Sequence, residues 1–273
     1  MKKLISVLLV ALLTSLSVNV TYGAGASGVV DHANMNMRDK ASLQNGAKLF
    51  VNYCLSCHSA SHARYNRMAE DLDIPEAVLK ETLMFTTDKV GDLMKTTMPA
   101  EDAKAWFGVT PPDLSLVSRV RKPDWVYTYL RAFYLDESSP SGWNNSLFEN
   151  VAMPHAMYEL QGVQKLVGKV DAHASKSSDS HELGDSHELG DSHESDGSET
   201  YVVGDAIFEL EHPGKLTPEE FDKAMLDLTS FLAYLAEPAQ MKRKTIGVFT
   251  LFFLIILMGL SYLLKKEFWR DVH

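Results

Sequence analysis

Cys54-Leu55-Ser56-Cys57-His58 constrains this chain more than any other stretch, because C-x-x-C-H sets two thiols and an imidazole against one flat macrocycle. Each thiol can add across a haem vinyl group to give a thioether, and His58 then lies under the iron as its proximal nitrogen ligand. The other uses of C-x-x-C are a thioredoxin-like redox pair, half of a zinc site and a structural disulfide. The chain has 2 cysteines in all, so a Cys₄ or Cys₃His zinc site is excluded. A thioredoxin-like pair needs an α/β setting that does not surround residues 54–57. The motif therefore predicts one covalently bound haem c and a protein that handles electrons. With both cysteines committed, no disulfide framework remains and the core must hold itself.

The two ends of the chain predict where it resides. Lys2 and Lys3 precede an apolar run from Leu4 to Val20 and small residues at Gly23, Ala24 and Ala26, the pattern of a secretory signal peptide over residues 1–24. A second apolar segment, Thr245 to Leu264, carries no charge and is long enough to cross a hydrocarbon core as a helix. Lys242, Arg243 and Lys244 flank it on one side and Lys265, Lys266 and Arg270 on the other, so basic residues alone do not orient it. The signal peptide does: residues 25–241 form a periplasmic domain, 242–273 form the anchor with a short cytoplasmic tail, and the cell membrane is crossed once. Residues 25–241 hold 34 acidic and 18 basic side chains, a net of sixteen negative charges. Such a surface repels nucleic acid and suits a basic partner, although an acidic excess also serves plain solubility.

Helical periodicity dominates the interior, and the fold class is mainly α. A short helix over Asn45–Cys54 delivers the haem cysteines from its last turn. Pro75 and Glu76 open a helix through Met84, proline and acid both suiting a helix N-terminus. Val126, Tyr129, Leu130 and Phe133 share one face of a helix from Pro123 to about Tyr134, a spacing that reads as core. Thr217, Pro218, Glu219 and Glu220 form a capping box ahead of the stripe Phe221, Met225, Leu228, Leu232 and Leu235, which Pro238 ends. Extended pieces are expected only near 163–170 and 201–210. Residues 171–200 differ in kind: DSHELG at 179–184 repeats at 185–190 and begins again at Asp191, with nine acidic residues and one lysine in the segment. Such a stretch buries too little to offset its ordering entropy and is expected to be a disordered insertion. Its histidines, His181, His187 and His193, offer a weak metal-scavenging reading beside the plainer one of a solvated loop.

The iron's sixth position separates electron transfer from gas binding, and a thioether there favours the reduced state. Twelve methionines leave spacing indecisive, but Met153 and Met157 stand in an irregular, proline-bearing segment suited to aim a side chain at a haem face. His62 lies too close to His58 to reach the opposite face with ease, and His155 reads as an ordinary polar residue.

Several separated blocks resemble cytochrome c1, the haem c subunit of the bc1 complex, in its proteobacterial form: YCLSCHS at 53–59, RYNRM at 64–68, TPPDLSLVSRVR at 110–121, DWVYTYLRAFY at 124–134, NVAMPHAMYELQG at 150–162, LTPEEFD at 216–222 and the closing LLKKEFWRDVH. The resemblance covers nearly the whole mature chain and implies a class I cytochrome c-like haem domain with loop insertions and one C-terminal transmembrane helix. It implies His58 and Met153, rather than Met157, as axial ligands, Pro111 and Pro112 packed near the haem, and Arg121, ahead of Arg119, beside a propionate. The function it implies is electron transfer in the respiratory chain, from a Rieske iron-sulfur protein to a c-type cytochrome acceptor. Cytochrome b would lie beside the anchor in the lipid. The chain makes no bonds itself; the enzyme, ubiquinol:cytochrome c oxidoreductase, is the complex. A freestanding tethered carrier serving a terminal oxidase, or a haem sensor with an open iron, are the alternatives.

Overall fold

The computed structural model describes residues 29–170 and 200–270. The expected signal peptide, the acidic repeat up to residue 199 and the last three residues of the tail lie outside them. Helix takes up about 47% and strand about 16% of the structure, so it is mainly helical in a loose sense only.

Two crossing helices form the frame. Helix α1 (Lys40–Leu49) starts at Asp39, whose side chain accepts from the Ser42 amide, and runs on as a π turn over Phe50–Cys54 that hands the chain to the haem motif. Helix α8 (Pro218–Ala236) begins with both bonds of the capping box in place: Thr217 accepts from the Glu220 amide and Glu220 from the Thr217 amide. The two helices meet at Gly46, where a Cβ would stand 2.1 Å from the Asp227 carbonyl oxygen and 2.6 Å from the Phe231 Cβ. Only a residue without a side chain permits that approach. The contact is tied by the buried Asp227 carboxylate, which accepts from Ser42 Oγ at 2.5 Å and Asn45 Nδ2 at 2.8 Å. Next to it Phe50 packs on Phe231 with ring centroids 5.6 Å apart.

Around this crossing the chain lays down short elements. Strand β1 (Ala60–Arg64) pairs antiparallel with β2 (Leu93–Met94), and α2 (Tyr65–Asp71) and α3 (Glu76–Thr82) lie between them in sequence. Then come α4 (Ala100–Phe107), α5 (Val117–Val120) and α6 (Pro123–Arg131), followed by the hairpin of β3 (Phe133–Leu135) and β4 (Trp143–Asn145). The helix expected to reach Tyr134 stops at Arg131 because Phe133, Tyr134 and Leu135 pair with Asn145, Asn144 and Trp143. Cross-strand partners override the helical period there. A short α7 (Tyr158–Gln161) leads into the third sheet, antiparallel in the order β5 (Gly162–Lys169), β7 (Ala206–Pro213), β6 (Thr200–Val203). Both extended pieces expected from the sequence lie in it. Helix α9 (Gln240–Phe268) contains a span, Thr245–Phe268, of 24 residues with mean hydropathy 2.4 and none of it buried against the rest. This fits a single-pass membrane anchor.

The hairpin end of the molecule is held by Arg131. Its guanidinium donates to both oxygens of Asp222, at 2.5 and 2.6 Å, and to Asp31 at 2.7 Å, while Asp31 also accepts from the Gly204 amide. The buried arginine thus joins the N-terminal segment, α6, α8 and the β6–β7 turn. Stranding a buried charge costs about 3–5 kcal/mol. Asp31 and Asp222 keep side-chain exposures of 32% and 39%, so water takes up part of the loss. Arg131→Met is therefore expected to cost about 2 kcal/mol, read as a lower urea midpoint with an unchanged slope.

Candidate haem site

The π turn ends at Cys54, which is buried, and the backbone then curls so that the Cys57 and His58 amides both donate to the Cys54 carbonyl, at 3.0 and 2.7 Å. This tight turn puts Cys54, Cys57 and His58 on one wall of a crevice. Phe107, Val109, Pro111 and Pro112 line it next, and Ala152, Met153 and Pro154 face it from the irregular segment before α7. The space, counted to its open mouth, is about 590 Å³ and its lining is mostly apolar.

The wall carrying Pro111 and Pro112 has little local structure of its own and is clipped to the strand after the motif. Leu114 donates its amide to the Ser59 carbonyl at 2.8 Å, and the Asp113 carboxylate accepts from the Ser61 and Ser115 amides at 2.8 Å each. Partial burial works against that carboxylate's charge, but these bonds hold Asp113 below the usual range. So fixed, the Pro112 carbonyl accepts from His58 Nδ1 at 2.7 Å. A proton held on Nδ1 leaves the Nε2 lone pair for a metal. Burial lowers the His58 pKa, outweighing that bond and the nearby Asp113, and the ring stays neutral as a ligand must. Cys54 is pushed up to about 12 by burial and then by Cys57, so its thiol stays protonated.

The structure separates the two methionines of the 151–157 segment. Met153 lines the crevice, whereas Met157 is 2% exposed and packed in the main core with Leu160 and Leu228. His155 is buried away from the crevice, its ring stacked on Phe133 at 5.0 Å and edge-on to Trp143, and burial lowers its pKa to about 4. His62 is exposed, and its amide is engaged by Ser115 Oγ at 3.1 Å.

The arginines also part. Arg119 pairs with Glu237 at 3.0 Å, beyond the end of α8. Arg121 instead lies 4.9 Å over the Trp125 ring and 5.8 Å over that of Phe148. Neither lines the crevice, but Arg121 sits on an aromatic stack that reaches it: Trp125 stacks on Tyr129 at 4.9 Å, and the Tyr129 hydroxyl donates to Met153 Sδ at 3.5 Å. Sequence reasoning assigned Tyr129 to the core by its helical spacing and missed this contact. The available signal was the hydroxyl itself, which needs a partner when a tyrosine occupies a core position. Phe107 and Val109 were also missed, and no sequence signal marks them as lining residues.

Two thiols, a neutral imidazole and a thioether around one apolar slot suit a haem: the thiols for its vinyl groups, the imidazole and the thioether as borderline and soft donors for iron, with a dry surround for the macrocycle. Comparison with known proteins bears on the same point. The model of the Cytochrome C1 family matches residues 31–164 and 214–272, leaving out most of the third sheet and the acidic repeat. Cytochrome c1 of Allochromatium vinosum is 44% identical, the match covering 97% of this chain and 99% of that protein. A protein named the ammonia monooxygenase gamma subunit of Nitrosomonas europaea is 40% identical over 99% of this chain and the whole of its own length. The cytochrome b/c1 of Bradyrhizobium diazoefficiens is 26% identical over 86% of this chain, which matches 34% of that longer protein. The chain belongs to the cytochrome c1 family, the electron-transferring haem subunit of bc1 complexes, and binds one covalent haem c.

Proposed function

We propose that Cys54 and Cys57 hold the haem through thioethers, that His58 and Met153 are its axial ligands, and that Arg121 and Pro111 belong to its surroundings. The observation that carries this is the meeting of Cys54, Cys57, His58 and Met153 in one apolar crevice, although Met153 lies about a hundred residues from the motif in the chain. When bound, the haem supplies a one-electron ferric/ferrous couple. The chain's own residues keep that couple's surroundings constant. The Pro112 carbonyl fixes the tautomer and plane of His58, and Phe107, Val109 and Pro111 keep water from the slot. Arg121, with no acidic partner among the described residues while Arg119 is paired with Glu237, offers its charge to a propionate.

In this reading the domain has the class I cytochrome c-like fold, is exported behind a signal peptide of residues 1–24, and stays on the periplasmic side of the cell membrane with its tail in the cytoplasm. It takes electrons singly from the Rieske iron-sulfur protein and passes them to a c-type cytochrome, while α9 packs beside cytochrome b. The relative whose name joins cytochrome b to c1 supports the last pairing. The acidic surface of residues 25–241 suits a basic acceptor. A reduced-minus-oxidised spectrum of the protein, tagged and taken from membranes in mild detergent, tests the assembly. Co-purifying b-type bands together with quinol-driven reduction of added cytochrome c are expected. A c-type band alone, from membranes whose other complexes stay intact, would remove the proposed partners.

A further inference from the structure

The hydroxyl of Tyr129 donates to Met153 Sδ at 3.5 Å, and the ring that carries it has little freedom. Trp125 stacks on one face at 4.9 Å and 12° between planes, Phe133 meets it edge-on at 5.1 Å, and Arg121 lies over the Trp125 ring. The Tyr129 carbonyl, at the end of α6, accepts from Asn145 Nδ2 at 2.9 Å, which ties the helix end to strand β4. The phenol therefore arrives at the sulfur on a scaffold fixed from three elements. A thioether sulfur has two lone pairs, so one can serve iron while the other accepts a hydrogen bond.

We propose that Tyr129 is a positioning residue that hydrogen-bonds the sulfur of Met153 and thereby raises the reduction potential of the haem. This rests on Met153 being an axial ligand. The hydrogen bond draws electron density from the sulfur, making it a poorer donor. A poorer donor costs the ferric state, with its higher charge, more than the ferrous state. The same bond holds the side chain in the rotamer that faces the crevice.

The test is an optical redox titration of the full-length, haem-loaded protein, with the far-red methionine-to-ferric-iron band and carbon monoxide binding recorded alongside. Tyr129→Phe is expected to keep the band, stay closed to carbon monoxide, and shift the reduction equilibrium about threefold toward ferric, about 28 mV at 59 mV per tenfold. Tyr129→Leu, which also removes the stacking face, is expected to shift it at least as far in the same direction. An unchanged potential in Tyr129→Phe, with the band intact, overturns the proposal and leaves Met153 as ligand. A shift in Tyr129→Leu alone also overturns it, because packing and not the hydroxyl would then be responsible. An unsubstituted protein that lacks the band and binds carbon monoxide removes the ligand assignment itself, and this inference with it.

Discussion

Replacing Met153 with leucine is expected to open the ferrous protein to carbon monoxide and to lower its midpoint potential by more than about 100 mV, within the roughly 0.8 V that axial ligation spans. Leucine fills nearly the same volume, so the crevice wall of Ala152 and Pro154 keeps its shape while the sulfur is lost. Met157→Leu is the matched control. That side chain is core, and its replacement is expected to leave the spectrum unchanged at a stability cost below about 1.5 kcal/mol. The reverse pattern, with Met157→Leu opening the iron and Met153→Leu leaving it closed, would exchange their roles. Both variants bear on the Tyr129 proposal, since the phenol reaches Met153 alone of the two.

Gly46→Ala should cost about 3 kcal/mol, the upper end of overpacking effects. In an ordinary helix interior the same change gains about 0.5–1 kcal/mol, so the expected sign is reversed. The reason is the nature of the obstacle. The Cβ would stand 2.1 Å from a backbone carbonyl, which cannot swing aside as the tip of a long side chain can. Helices α1 and α8 would have to separate, and α1 continues directly into the turn that ends at Cys54. Two readouts should therefore fall together: the urea midpoint, by about 1–2 M for a slope of about 2 kcal/mol/M, and the yield of haem-loaded protein. An unaltered midpoint would mean that the helices do not approach so closely.

What the sequence disclosed and what it hid divide along physical lines. Thr217-Pro218-Glu219-Glu220 is a self-contained instruction, because a cap is made by residues three apart, and the structure carries both of its bonds. Cys54, Cys57 and His58 are adjacent, so their convergence needed no tertiary knowledge. Met153 was a different matter: spacing left it level with Met157 and the family resemblance alone preferred it, while the fold puts one at the crevice and the other among Leu160 and Leu228. The end of α6 was misjudged because the cause of termination, pairing of Phe133 with Asn145, lies outside the helix. The third sheet was expected only as loose extended pieces, since β5 finds its partner β7 across the whole acidic repeat. Nor does the aromatic spacing of Tyr129 distinguish a ring that merely packs from one whose hydroxyl has a task.

The connection between α8 and α9 has a consequence for how electrons travel. Helix α8 ends at Ala236 and α9 starts at Gln240, and Glu237 between them is gripped by Arg119 at 3.0 Å and Arg243 at 2.6 Å. Three residues, even fully extended, cover only about 10 Å. With α9 spanning a bilayer as proposed, a domain moored with so little slack would have almost no range of its own and would keep a fixed height above the membrane. In the proposed assembly it would then serve as a stationary platform, and any distance that an electron must be carried to or from it would have to be covered by the partners.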